Sequence, residues 1–214
     1  MDKNINFTSR SIEIRNADNF ARWVKESFPL ISSTKYARMG NNVHFQNACN
    51  KCVDEINLTR YFMNSAESYE SWYQRCLEPI LARKFGNCYE HSLLAIASAL
   101  VNNIKNCKIS HLTSLSDSII DHWFLLVNGE KPYIIDTFFG FADYVPEALK
   151  RYKNELQNFI SREPLPEKVK IVRDNSYYGE IWNNIVEEDH CGKISENIMQ
   201  MFPNLVLNKR KVGF

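Results

Sequence analysis

Cys88, His122 and Asp136 are the residues of this chain whose types and settings suit nucleophilic chemistry. Cys88 follows the turn signal Gly86-Asn87 and opens a stretch in which Leu93, Leu94, Ala97 and Leu100 recur, with Ala95, Ile96 and Ala99 between them. The pattern predicts a helix that is apolar on most sides and therefore central and buried, with the cysteine at its start. A thiol there meets unpaired backbone N–H groups and the positive end of the helix dipole, and both favour thiolate over thiol. The same N–H groups, that of Cys88 included, are placed to bind an oxyanion. Glu90 falls in the first turn, where its charge suits the dipole, so its role is structural first and substrate contact second. His91 lies three residues past Cys88 on a neighbouring helical face, but a base there has no orienting partner, and His122 is preferred.

His122 opens the apolar run Trp123-Phe124-Leu125-Leu126-Val127. Asn128-Gly129 then gives a turn, and Tyr133-Ile134-Ile135 resumes the run up to Asp136. This predicts a β-hairpin, with Pro132 at the start of the second strand. A three-residue loop, Asn128 to Glu130, sets His122 directly across from Asp136, about 5 Å away, where the acid fixes the imidazole tautomer. A two-residue loop would instead pair His122 with Ile135 and turn Asp136 to the other face, unless a bulge intervened.

Gly86-Asn87-Cys88, Asp121-His122-Trp123 and Ile135-Asp136-Thr137 together resemble the transglutaminase-like core of the papain-like thiol enzymes. The likeness covers roughly residues 85 to 140. It implies an α+β fold with a central helix packed on an antiparallel sheet, Cys88 as nucleophile, His122 as base and later acid, and Asp136 as orienter. It also implies a thioester intermediate, a protein or peptide substrate and no cofactor. Water as acceptor gives a cysteine protease or related amide hydrolase, the preferred reading. Amine transfer or glutamine deamidation gives a transglutaminase-like enzyme, the second. One departure stands out: papain-like proteases carry a glutamine about six residues before the cysteine, and Ala82 occupies that position here. Asn87, Trp72, Glu90 and Trp123 are the remaining candidates for oxyanion or substrate contact, beside the backbone N–H groups. A non-catalytic binding module with a vestigial triad is the alternative of a different class.

The elements that must position these residues are read from periodicity. A helix is expected after Asp18 as N-cap, ending at Pro29. A second covers Phe45 to Met63, with Ala48, Cys52, Ile56 and Tyr61 toward its buried face. A third covers Ser68 to Leu81, with Pro79 breaking it near its end. Residues 102–118 read as a polar connection. Pro146 opens an amphipathic helix carrying Leu149, Tyr152, Leu156, Phe159 and Ile160, Val169 to Val172 reads as a strand, and helix follows to Phe202. The run Phe138-Phe139-Gly140-Phe141 is read as core before substrate groove. The whole is expected to form one domain: a helical flank over 1–84, the core motifs over 85–140 and a mostly helical flank over 141–214.

With 214 residues, 44% hydrophobic and 13% aromatic, the chain has enough apolar surface for a sizeable core. A net charge of +1 argues against nucleic acid as partner, and no run approaches the roughly 20 apolar residues of a membrane span. The polar start lacks the apolar segment of a secretory signal, which makes the cytoplasm the default. Delivery into a host cell without such a signal, as an effector acting on a host protein, fits the Asn- and Lys-rich composition. Six cysteines in this length are not a disulfide scaffold. Cys49 and Cys52 make one Cys-x-x-Cys, readable as half a zinc site, with His44, His190 and Cys191 as the most plausible further donors, or as a redox pair, but two reduced thiols on a helix is the preferred reading and no metal is assigned.

Overall fold

The computed structural model describes residues 11–34, 43–64, 72–114, 122–159, 169–187 and 191–207. Among the described residues there are seven α-helices and five strands. In chain order they are α1 (Ile12–Ser27), α2 (Val43–Asn64), α3 (Trp72–Arg83), α4 (Cys88–Val101), β1 (Cys107–Ser114), β2 (His122–Val127), β3 (Tyr133–Asp136), β4 (Phe141–Tyr144), α5 (Val145–Phe159), β5 (Val169–Arg173), α6 (Tyr177–Glu187) and α7 (Cys191–Met201). A 3₁₀ turn, Pro203–Leu205, follows.

The sheet is antiparallel throughout, in the order β4-β3-β2-β1-β5. Alternation along the strands divides their side chains between two faces. Ile109, Leu125, Val127, Tyr133 and Ile135 join the main core around α4, whose residues Leu93 to Ala97 are all buried. Leu112, Phe124, Ile134 and Phe141 form a smaller core with Ala148 and Tyr152 of α5. The sheet is therefore covered on both faces, and α4 is buried nearly all round, as its apolar composition requires. Among the described residues, no helix is long and apolar enough to cross a membrane.

Several elements depart from the sequence reading. α1 begins at Ile12, capped by the Ser11 hydroxyl, which accepts from the Ile14 N–H. Asp18 is thus mid-helix rather than its cap. Pro79 lies inside α3 without ending it, because it removes one N–H near a C-terminus already anchored in the core by Cys76, Leu77 and Ile80. Tyr61 faces solvent, 65% exposed, while Cys52 and Ile56 are buried. Strand β1 occupies what reads as a polar connection. Its apolar residues Ile109 and Leu112 serve opposite faces, which hides the alternation. β4 starts at Phe141, the last residue of the aromatic run, and continues to Tyr144.

Asp18 has a different task. Its carboxylate, almost fully buried, accepts from the backbone N–H of Ala142 at 3.0 Å and pairs with Arg22 on the next turn. α1 thereby closes the open edge of the sheet at β4, supplying an acceptor where no further strand exists. Asp18→Ala leaves that N–H buried and unpaired. The expected cost is about 1–3 kcal/mol, read as a lower urea midpoint with unchanged slope.

Candidate active site

Cys88 is the first residue of α4, and the chain reaches it through a close passage. A Cβ on Gly86 would lie 2.6 Å from Cβ of Glu90 and 2.7 Å from Leu30, so only glycine fits there. Glu90 secures the turn. Its carboxylate accepts from the Asn87 N–H at 2.8 Å and takes a two-pronged pair from Arg60 of α2, with Nε at 2.7 Å. Both oxygens are committed and the side chain has no exposed surface, so substrate does not reach it. The Asn87 carboxamide turns to the 32–33 segment. Its Oδ1 accepts from the Ser32 hydroxyl at 2.7 Å and from the Ser33 N–H at 3.2 Å, and Nδ2 donates to the Ser33 hydroxyl. The Asn87 carboxamide thus ties the start of α4 to the 32–33 segment. Trp72 sits edge-to-face on Trp182, 4.7 Å between centroids, against the main core.

His122 and Asp136 are brought together, though not in the expected register. Val127 pairs with Tyr133 and Leu125 with Ile135, so the hairpin loop runs over residues 128–132, five residues rather than three. Continuing the register puts Asp136 opposite Phe124, with His122 one diagonal step away on the same face. The expected pairing was wrong by two residues, and a shift of two preserves the face. The diagonal is spanned: Nε2 of His122 and Oδ2 of Asp136 are 2.6 Å apart, and both side chains have no exposed surface.

Asp136 holds three partners at once. Besides His122, the Tyr152 hydroxyl of α5 donates to Oδ2 at 2.7 Å, and the Phe139 N–H donates to Oδ1 at 2.9 Å. Hence Asp136 both caps the turn after β3 and orients the imidazole. The sequence placed Tyr152 on the buried face of its helix, but nothing in it announced the hydroxyl's partner. Aromatic rings enclose His122: Phe139 and Tyr152 each lie 5.0 Å from its ring, Phe138 at 6.0 Å and Phe124 at 6.2 Å.

With Nε2 taken by the acid, Nδ1 is the nitrogen left: it is buried, no group among the described residues hydrogen-bonds it, and the buried Cys88 thiol is close enough to act on the imidazole electrostatically. Burial by itself would lower the pKa of His122. The charge and hydrogen bond of Asp136, together with the thiol, outweigh it and raise the pKa well above the usual histidine value. Burial likewise pushes Asp136 up, while the imidazole, the Phe139 N–H and the Tyr152 hydroxyl hold it below the usual carboxylate value. The pair is an imidazolium–carboxylate in a dry aromatic box.

His91 lies on the same helix as Cys88 but takes the opposite state. Burial lowers its pKa to about 4, against a smaller rise from Asp136, so it is neutral. Its carbonyl accepts from the Thr137 hydroxyl at 3.1 Å, and its ring packs edge-on to Phe138. Cys49 and Cys52 donate to the carbonyls of Ser33 and Ile31. His190 lies outside the described residues, and among those described no group of three or more His, Cys, Asp or Glu is arranged to hold a metal. Trp123 stacks edge-to-face with Tyr89 at 5.0 Å, on the face of the sheet that α4 covers.

Scans against protein-family models, curated proteins and solved structures each gave no match to this chain.

Two predictions follow from the electrostatics. The depressed His91 means that below about pH 6.5 the unfolded chain binds a proton the fold does not, so stability present above that value is lost as pH falls toward 4. The raised His122 acts the other way, its contribution fully present below about 6.5 and lost as pH climbs. Urea titrations should therefore place maximum stability near pH 6.5, and His91→Leu should flatten the acid arm by up to about 3 kcal/mol. Tyr152→Phe keeps the ring and removes one donor from a buried carboxylate. It should cost about 1.5–3 kcal/mol and displace the pH at which Cys88 alkylates, a readout that lost packing alone would not move.

Proposed function

We propose that this chain is a thiol enzyme with a transglutaminase-like or papain-like core, using Cys88, His122 and Asp136 to cleave an amide bond in a protein. The observation that carries the reading is the buried imidazole hydrogen-bonded to a buried carboxylate, with a buried cysteine at a helix N-terminus acting on it electrostatically. The mixed α+β architecture, with a central helix on an antiparallel sheet, is compatible with it.

In this reaction the Cys88 proton is held by His122 Nδ1 from the outset, and the thiolate sulfur attacks the substrate carbonyl. The oxyanion is met by the backbone N–H groups at the start of α4, whose own helix offers them no carbonyl. Collapse of the tetrahedral intermediate breaks the C–N bond, and His122 returns the proton to the leaving amine. The acyl thioester is then attacked by water, whose proton goes to His122, and collapse expels the Cys88 thiolate beside the restored imidazolium. Asp136 stays ionised throughout and stabilises the imidazolium.

The test is iodoacetamide labelling of Cys88, followed by peptide mass spectrometry from about pH 4 to about pH 9. Wild type should label readily at pH 6. His122→Ala should slow that labelling by about tenfold or more, and Asp136→Ala should slow it by less. Slow labelling with an ordinary thiol profile, indifferent to both substitutions, would leave a binding module in place of an enzyme.

A further inference from the structure

A cavity of about 400 Å³ has as two of its walls the chain neighbours of the reacting pair. Tyr89 follows Cys88, and Trp123 follows His122. By strand alternation Trp123 points to the sheet face opposite His122, where it meets Tyr89 edge-on. Met63 and Tyr178, both buried, contribute apolar surface, and Tyr177 stands at the rim, 55% exposed.

The far wall is a fixed piece of chain. Asp174, buried, accepts from the Ser176 N–H at 2.8 Å and from its hydroxyl at 2.9 Å. Gly179 leaves room for that carboxylate, since a Cβ there would fall 1.8 Å from its oxygen. Asn183 then ties α6 to β1, accepting from the Ile109 N–H at 2.7 Å and donating to the Ile109 carbonyl at 3.1 Å. A hydrogen bond of 2.8 Å between the Tyr89 and Ser176 hydroxyls joins this wall to α4. These hydrogen bonds anchor the far wall to α4 and β1.

Its charge is also settled. Arg60 reaches the lining, but its guanidinium is engaged two-pronged by Glu90, so the pair presents no net charge. A charged side chain entering here would lose water and find no counter-charge among the described lining residues. An aromatic one would meet ring edges and faces at the separations such rings favour.

We propose that this cavity receives a large apolar side chain of the protein substrate, best an aromatic one, on the acyl side of the amide attacked by Cys88. The proposal rests on Cys88 as nucleophile, and its test separates the two. Tripeptidyl chloromethyl ketones alkylate a thiolate, the sulfur displacing chloride to form a thioether, whether the enzyme's acceptor is water or an amine. Probes with one Phe at each position of an alanine background, and the same set with Asp, are timed at Cys88. At one position Phe should speed labelling by about tenfold or more over alanine while Asp gives no gain. In Tyr177→Ala the Phe-to-Ala ratio at that position should fall by about threefold or more; Trp123→Leu offers a second reading of the same ratio. Iodoacetamide, which has no side chain to place, reads the thiol alone. Fast iodoacetamide labelling with all peptidyl probes within about twofold, or an undiminished Phe preference in both variants, overturns the pocket and keeps the nucleophile. Slow iodoacetamide labelling indifferent to His122→Ala overturns both.

Discussion

A carboxylate removed from water is costly to keep ionised, and Asp136 has no exposed surface. Its three hydrogen bonds come from three separate pieces of chain: the first residue of β2, the turn after β3 and the middle of α5. Each donor fixes a different degree of freedom. The turn N–H pins one oxygen, the tyrosine sets the lateral position of the other, and the imidazole takes what direction remains. Remove the acid, and a protonated ring, a buried hydroxyl and a turn amide all lose their partner at once. The surrounding rings exclude water from the pair, which strengthens their attraction and raises the cost of a misplaced partner in equal measure.

A second buried acid, Glu90, anchors the other half of the site. It belongs to the first turn of α4, where the helix dipole favours it, yet its lasting counter-charge comes from Arg60 on α2. The helical N-terminal segment therefore does more than cover the core. α2 neutralises the turn that carries the cysteine, residues 32–33 hold Asn87, and α1 closes the sheet edge through Asp18 while Lys25 donates to the Phe139 carbonyl. Residues that read as flanks are the partners of the site's own polar groups.

Much of this was legible in local pattern. The buried helix with Cys88 at its head, the hairpin and its end residues follow from periodicities of 3.6 and 2 and from a turn signal, all short-range properties. What could not be read was long-range. Ser11 rather than Asp18 caps α1, because Asp18 answers an N–H 124 residues away. β1 was missed because its few apolar residues divide between two faces that only the assembled sheet defines. Tyr152 could be placed on a buried face but not matched with Asp136, because the helix's position over the sheet is set by packing and not by its own sequence. The three-residue loop was likewise an inference from turn chemistry, whereas the observed one is longer and ends at Pro132, which needs no ladder hydrogen bond.

The parity of that hairpin loop restricts how the chain can change length. His122 and Asp136 lie on one face because the loop holds an odd number of residues, and the particular odd number is secondary. Insertions or deletions at its tip that come in pairs slide the strands by a full pleat and keep acid and base on the same side. A single-residue change sends the acid into the α4 core, unless a bulge absorbs it. Viable relatives of this chain should thus differ there in steps of two, or carry a bulge wherever they do not.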